Sequence, residues 1–292
     1  MNILDTPNEF LDFSIHNYPT GNNKKNFESY FYNYFIENYT LAEYTYIPIQ
    51  WTNYLIKNNF GKELSDLLNF LNKNLNKNQK YFTVVQYAGG PLVEIENCLI
   101  FSMGGVFNTS IPKSSQVIPI PLIYDMEESF TPQMNKNLLA SYIGRNTHSV
   151  RKKIETQYRD DKTIFIKNLE SMDSNISYED QEIFKKLMFN SYFSLCPRGY
   201  GPTSFRLFES IRLGTVPVYI SDYHFLPFIE FLDWEKFSII INTKKIKKLK
   251  KIMQHQVDTG SYDLLLSNLN NVKNKYFNFE FLCQYIFSKI NN

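Results

Sequence analysis

Short apolar segments alternate with longer amphipathic segments between residues 138 and 242, and this alternation constrains the fold more than any other feature. Strands that alternate with helices in this way form βαβ units and a parallel sheet. The pattern predicts an α/β protein with strands over 138–144, 163–169, 191–197, 215–221 and 237–242, separated by helices over 148–158, 178–190 and 204–214.

The first half of the chain carries a weaker form of the same pattern. Apolar spacing predicts helices over 24–39 and 63–78 and strands over 45–51, 81–87 and 97–103. Because proline has no N–H to donate to a neighbouring strand, Pro48 predicts that the strand at 45–51 lies at an edge of its sheet or ends there. The strands at 81–87 and 97–103 both run into glycine turns, as strands do at the ligand-binding edge of an open α/β sheet.

The length and the prolines together predict the domain boundaries. A chain of 292 residues is long enough for two domains. The segment 111–133 contains four prolines and an acidic cluster, which predicts a short strand followed by an interdomain connection. We therefore predict domains at 1–125 and 126–260, followed by a helical segment, 261–292, that packs back across the domains.

Composition excludes several classes of protein. The net charge of +2 is too small for a chain that binds nucleic acid over its whole surface. Three cysteines and four histidines form neither a disulfide framework nor a recognisable metal-ligand set, so we expect no metal and no cofactor. The aromatic content of 16% is explained either by codon bias or by an aromatic carbohydrate-binding surface.

No secretory signal and no membrane span is visible in the sequence. We therefore expect a soluble protein of a reducing compartment, located in the cytoplasm.

The segment CPRGYGPTSFRLFE (196–209) contains the residues most suited to ligand binding, and its backbone favours an anion. It joins the predicted strand 191–197 to the predicted helix 204–214. Gly199 and Gly201 allow close approach of the backbone to a ligand. Thr203 or Ser204 can cap the helix, whose free N–H groups then face the loop.

Side chains of the same loop extend this hypothesis. Arg198 and Arg206 supply planar cations suited to phosphate. Glu209 lies in the helix, where its carboxylate can accept hydrogen bonds from a ribose diol. The loop thus indicates a site for the diphosphate and ribose of a sugar nucleotide, whereas the plain alternative is an ordinary glycine-rich turn.

The block FSLCPRGYGPTSFRLFESIRLGTVPVYISD (193–222), followed by LPF (226–228) and DWEKFSIIIN (233–242), closely resembles the exostosin family, glycosyltransferase family 47. Upstream, SYIGRNTHSVRKKI (141–154) resembles the strand, glycine and arginine-bearing helix of that family. The resemblance covers about residues 138–243, and residues 1–125 match only loosely.

The resemblance implies a GT-B architecture, in which two Rossmann-like domains face one another across a cleft and the C-terminal one binds the donor. It also implies transfer of a sugar from a UDP-linked donor to a glycan or other hydroxyl acceptor, with inversion and usually without a metal on a DxD motif. The residues that fall on the donor motif are Arg198, Gly199, Gly201, Ser204, Arg206 and Glu209, and the upstream residues Gly144, Arg145 and Arg151 fall on the basic segment that could reach the diphosphate.

Two catalytic roles follow from this implied reaction. Without a metal, preorganised cations must stabilise the charge of the leaving diphosphate, and Arg206 is the predicted catalytic cation. Inversion also requires a base for the acceptor hydroxyl. Asp125 is the first choice because it lies where the cleft should open, with Glu43, Glu94, Glu127 and Glu128 as alternatives.

Other hypotheses remain open at this stage. LGTVPVYIS also resembles fucosyltransferase-like GT-B enzymes that use GDP-fucose, and a non-catalytic partner of another glycosyltransferase is the third possibility. The lysine-rich run 243–252 predicts an amphipathic helix whose cationic face is solvated or contacts an acidic glycan or a membrane surface. A cytoplasmic location would suit a bacterial or viral setting, including the cytoplasm of a host cell.

Overall fold

A computed structural model describes residues 2–14, 26–38, 43–106, 110–124, 136–169 and 178–291. The chain divides into two compact units. The first unit comprises Met1–Tyr18, Asn22–Asp125 and Phe279–Asn292, and the second comprises Pro19–Gly21 and Met126–Asn278.

The secondary structure alternates between strands and helices along most of the described chain. The strands are β1 (Thr45–Tyr46), β2 (Tyr81–Val85), β3 (Cys98–Ser102), β4 (Gln116–Pro119), β5 (Leu138–Arg145), β6 (Ile164–Leu169), β7 (Ser191–Pro197), β8 (Val216–Ile220) and β9 (Ile239–Ile241). The α-helices are α1 (Phe27–Asn38), α2 (Trp51–Lys57), α3 (Ser65–Asn74), α4 (Ser149–Tyr158), α5 (Tyr178–Phe189), α6 (Phe205–Arg212), α7 (Leu249–Asp258), α8 (Ser261–Tyr276) and α9 (Phe279–Ile290).

The first unit is built on a parallel sheet. Within the described residues, its strands lie in the order β1-β2-β3-β4. The strand predicted over 45–51 is wrong beyond Tyr46, because α2 begins at Trp51 and the Trp51 indole donates a hydrogen bond to Thr83 Oγ1 at 2.7 Å. The apolar residues of 45–51 are buried, as in a strand, but Pro48 has no N–H with which to extend the ladder.

Aromatic packing joins the two sequence-distant parts of the first unit. Phe27, Phe31 and Phe35 are buried along one face of α1. Phe287 of α9 packs at ring-centroid distances of 6.1 Å from Phe31 and 5.9 Å from Phe35. The core of this unit therefore includes residues 279–290 from the far end of the chain.

The helix predicted over 261–290 is two helices, α8 in the second unit and α9 in the first. The break follows from two adjacent residues. The Phe277 side chain is buried in the second unit against Phe208 and Trp234. The Asn278 amide donates hydrogen bonds to the carbonyl oxygens of Asn274 and Lys275, which satisfies the end of α8.

The second unit is also built on a parallel sheet, and the strands and helices predicted for 138–242 are confirmed within two residues at most of their ends. Within the described residues the strand order is β6-β5-β7-β8-β9. The order reverses between β5 and β7, and in doubly wound folds ligands bind at the carboxyl ends of the strands at such a point. An α/β fold with two parallel sheets is thus confirmed, and the arrangement of two domains across a cleft stays a prediction.

The lysine-rich run is helical, as predicted, but its first part is a 3₁₀ helix, Thr243–Lys248, that leads into α7. Ile246 and Leu249 are buried, and most lysines of the run are exposed. Lys250 is an exception because it pairs with Asp161 at 2.6 Å. The contact of this face with a membrane or an acidic glycan remains a prediction.

A buried carboxylate connects α1 to the carboxyl end of β2. Glu28, 1% exposed, accepts hydrogen bonds from the backbone N–H of Gln86 at 2.6 Å and of Thr52 at 3.0 Å, and from the Thr52 hydroxyl at 2.9 Å. Burial raises the pKa of Glu28 from 4.5 to about 7, although these donors oppose the shift.

We expect the free energy of unfolding to decline as the pH rises from 4.5 to about 7, because the folded protein retains a proton on Glu28 that the unfolded chain releases. The decline should reach about 3 kcal/mol. Glu28→Gln keeps the side chain neutral at every pH and should remove this part of the slope. Urea denaturation across this pH range tests the expectation, with Glu43→Gln as the control because Glu43 is exposed. An equal slope in wild type and Glu28→Gln would contradict it.

Candidate functional site

The candidate site lies in the second unit, at the point where the strand order reverses. β5 and β7 are neighbours there, and each continues through a short loop into a helix, α4 or α6. Tyr142 and Arg145 lie on β5, and Arg198 directly follows β7. The sequence-predicted residues around these loops therefore meet at one edge of one sheet.

Arg206 is a cation held between two aromatic rings. Its guanidinium carbon lies 4.8 Å from the ring centroid of Tyr142 and 4.6 Å from that of Phe184. Burial lowers the pKa of this guanidinium, while Tyr142 and Glu209 favour its charged form. In the described part of the chain, no side chain or carbonyl accepts a hydrogen bond from the Arg206 guanidinium and no carboxylate forms a salt bridge with it. The two aromatic contacts thus hold the guanidinium without using its N–H groups, which remain for an anion.

Arg151 holds the two strand ends together. Its side chain is buried and donates three hydrogen bonds to backbone carbonyl oxygens: Nη1 to Arg145 at 2.7 Å, Nε to Arg198 at 3.0 Å and Nη2 to Pro197 at 3.3 Å. A Cβ atom at Gly199 would lie 3.1 Å from Nη2, so glycine lets the loop approach this side chain. These contacts favour a positioning role for Arg151 over the diphosphate contact that the resemblance implies.

Arg198 is paired with a carboxylate. Its Nη1 contacts Asp222 Oδ1 at 2.5 Å, and Nη2 donates to the carbonyl oxygen of Tyr200 at 3.3 Å. The pair lowers the pKa of Asp222. Arg198 Nε is buried and has no partner among the described residues. The predicted cation is therefore present at the site, with part of its donor capacity used within the protein.

The remaining predicted residues lie around the same edge. Glycine is required at position 144 because a Cβ there would lie 2.6 Å from the Tyr142 hydroxyl oxygen. Ser204 occupies the N-cap position of α6, but its side chain makes no capping hydrogen bond. Glu209 is buried in α6, Arg145 is half-buried at the end of β5, and Gly201 is buried in the loop after β7. The predicted bases Asp125, Glu127 and Glu128 lie outside the described residues.

Buried polar atoms without partners gather at this edge. Thr147 Oγ1, Arg198 Nε and Ser204 Oγ are buried and lack a hydrogen-bond partner in the described structure. Thr147 Oγ1 would lie 3.4 Å from a Cβ atom at Gly199, so this hydroxyl, from the loop between β5 and α4, faces the loop that carries the predicted motif. An unsatisfied buried polar group costs about 1–3 kcal/mol, and a polar ligand would remove that cost.

The sequence analysis missed three residues of this site: Tyr142, Phe184 and Thr147. Tyr142 and Phe184 have the apolar character of ordinary strand and helix residues, and no sequence signal indicates that both contact Arg206. Thr147 lies between Arg145 and His148 in the basic segment, where its position next to the arginines was the available signal.

Three other residues of the matched region have structural roles. His148 is the N-cap of α4, where Nδ1 accepts a hydrogen bond from the Val150 N–H. Cys196 and Trp234 are buried in the core of the second unit. In the described residues no helix is both long and apolar enough to cross a membrane, and no cluster of three or more histidine, cysteine or acidic side chains could hold a metal.

Several known proteins resemble part of this chain. A probable glycosyltransferase of Arabidopsis thaliana is 30% identical over 141 residues, 48% of this chain and 28% of the relative. A probable glucuronoxylan glucuronosyltransferase of the same plant is 40% identical over 77 residues, 26% of this chain and 16% of the relative. An exostosin-1 homolog of Caenorhabditis elegans is 38% identical over 79 residues, 27% of this chain and 20% of the relative.

The chain thus aligns with well under half the length of these curated relatives. The solved structure titled "Crystal Structure of TarM" is 10% identical with a TM-score of 0.44, over 75% of this chain and 52% of that chain. That likeness is too distant to carry a conclusion.

The exostosin GT47 domain matches residues 82–255, which is more than half of the chain. The match begins in β2 of the first unit, well upstream of the motif around Arg206. It contains every predicted donor-site residue from Gly144 to Glu209. The chain belongs to the exostosin GT47 family.

Proposed function

We propose that this protein transfers a sugar from a nucleotide-sugar donor to a hydroxyl group of a glycan or other acceptor. The observation that carries this proposal is the Arg206 guanidinium, which lies over the rings of Tyr142 and Phe184 and forms no salt bridge in the described structure. A half-buried cation is stabilised when an anion pairs with it, so a bound diphosphate suits this position. Family membership supports the same chemistry.

The leaving group defines what this site must do during the reaction. When the bond between the anomeric carbon and the diphosphate breaks, negative charge develops on the diphosphate oxygens. Arg206 can stabilise that charge through its N–H groups, which the two aromatic contacts leave unused. The hydroxyls of Thr147 and Ser204 supply further donors at the same edge. Glu209, buried three residues further along α6, is the proposed partner of the ribose diol.

The finer features of the proposal rest on the motif resemblance. We propose a UDP-linked donor, inversion at the anomeric carbon, and charge stabilisation by arginines without a metal. Relatives whose names include glucuronoxylan glucuronosyltransferase make UDP-glucuronate one donor to test. The alternatives are a GDP-fucose enzyme and a non-catalytic partner subunit.

Binding and transfer measurements on the purified full chain test the proposal. UDP, GDP and a set of UDP-sugars would be added in the presence of EDTA, and thermal stability would be followed. A ligand at 100 times its Kd should add about 2.7 kcal/mol to the stability of the protein that binds it. We expect stabilisation by UDP compounds and hydrolysis or transfer of the labelled sugar. Stabilisation by GDP alone would favour the fucosyltransferase alternative, binding without turnover would favour the partner subunit, and no nucleotide binding would refute the proposal.

Two replacements of Arg206 should distinguish the effect of its positive charge from the effect of its planar guanidinium. We expect Arg206→Ala to lower kcat/KM by about 10²–10³ because the leaving diphosphate loses its main cation. Arg206→Lys should recover little of this loss, since an ammonium group cannot stack between two rings and present two donors at once. Arg159→Ala is the matched control, because Arg159 is an exposed arginine of the same unit. Kinetics of Arg206→Ala within a few-fold of the control would contradict the assignment.

Replacement of Arg151 should mainly reduce the stability of the folded protein. We expect Arg151→Ala to reduce the free energy of unfolding by about 2–3 kcal/mol, because three backbone carbonyl oxygens, all at least partly buried, lose their donors. UDP affinity should fall with it as the strand ends separate. Urea denaturation and UDP titration measure the two effects, with exposed Lys152→Ala as the control. Unchanged stability combined with lost UDP affinity would instead identify Arg151 as a direct phosphate ligand.

A further inference from the structure

Two exposed tyrosines lie on neighbouring loops beside the candidate site. Tyr200 is 58% exposed in the loop after β7, and Tyr223 is 56% exposed in the loop after β8. Both loops follow the carboxyl ends of adjacent parallel strands. The mechanism proposed above uses neither side chain. Large aromatic side chains this exposed at the ligand-binding edge of a sheet require their own explanation.

The backbones that carry these tyrosines are fixed to one another. The Tyr219 hydroxyl lies 2.9 Å from the carbonyl oxygen of Pro202 in the first loop and 3.0 Å from that of Tyr223 in the second. The Ser221 hydroxyl also donates to the Tyr223 carbonyl oxygen at 2.7 Å. The backbones of the two tyrosine-bearing loops are therefore joined through Tyr219.

Arg198 connects the same two loops to the candidate donor site. Its guanidinium contacts Asp222, next to Tyr223, and the carbonyl oxygen of Tyr200. A ligand lying on the tyrosines would therefore be close to a residue of the predicted donor motif.

The Tyr223 ring has an orientation suited to stacking. It lies 6.4 Å from the ring of Phe225 with an interplanar angle of 25°, and Phe225 is buried. One side of the Tyr223 ring thus packs on the core, and more than half of the residue remains in solvent. The adjacent Asp222 and His224 are exposed and can bond hydroxyl groups.

We propose that Tyr200 and Tyr223 form a saccharide-binding platform for the acceptor. A sugar ring presents an apolar C–H face, which packs on an aromatic ring, and hydroxyls at its rim, which suit the polar side chains of Asp222 and His224. The saccharide is favoured by the polar Asp222 and His224 beside the rings, and a nucleobase, which also stacks on aromatic side chains, is the other outcome of the test. This inference rests on the proposed function, since it names the class of its acceptor.

Saccharide binding can be tested without any nucleotide. Saturation-transfer NMR on the full chain would use cello-, xylo-, manno- and galacto-tetraose as probes. We expect at least one tetraose to bind the wild type, Tyr200→Ala and Tyr223→Ala each to weaken it by about fivefold, and Tyr200→Phe and Tyr223→Phe to retain most of it. UDP affinity should stay unchanged in all four variants. Phe231→Ala is the control, because Phe231 is a half-exposed aromatic residue of the same unit.

Three results would overturn the inference: no tetraose binds the wild type, both alanine variants bind as the wild type does, or they lose UDP affinity while retaining the saccharide. The last result would show that the rings stack on the base of the donor. Failure of the proposed function has a different signature, which is the absence of nucleotide binding by the wild type. Thermal unfolding of each variant separates a local effect from loss of the fold.

Discussion

Three hydrogen bonds from the Arg151 guanidinium to backbone carbonyl oxygens hold the candidate site together. They connect the end of β5 to the end of β7 at the one place where the strand order of this sheet reverses. Parallel strands part there because their connections run in opposite directions along the sheet, so a long side chain from α4 is needed to join them. Everything proposed for Arg206, Thr147 and Ser204 depends on this junction, since it sets where their loops begin.

The arginines of this edge show how one residue type takes different roles in one site. Arg151 donates to carbonyl oxygens, Arg198 to a carboxylate and one carbonyl oxygen, and Arg206 contacts the faces of two aromatic rings. Arg198 keeps one unpaired donor, Nε, whereas in the described structure none of the guanidinium N–H groups of Arg206 is paired. The difference lies in partners distant in sequence: Phe184 is on α5 and Asp222 follows β8. A motif can therefore locate the cations, while the fold determines which of them is open to a ligand.

The parts of the fold that could be predicted are those in which local pattern and tertiary structure agree. From β5 to β9 each strand is apolar and each helix amphipathic, so periodicity alone locates them. Around Trp51 the apolar residues follow no period that distinguishes a buried strand from a buried helix. Glu28 escaped notice because nothing in its neighbourhood of the sequence indicates contact with Gln86. The division of the last helical segment depends on Phe277, which has the character of any apolar helix residue.

The helix α9 has a consequence for the order in which the protein acquires its structure. Phe279 and Phe287 of this helix complete the aromatic packing around α1, although most of the chain, including the whole second sheet, separates the two helices in sequence. During synthesis on the ribosome, the sheet of the second unit can form before α9 is available to pack on α1 in the first unit. The first unit is thus the first to be synthesised and the last to complete its fold. Until residues 279–290 emerge, the phenylalanines of α1 lack their partners on α9 and are accessible to water and to any chaperone that binds aromatic side chains.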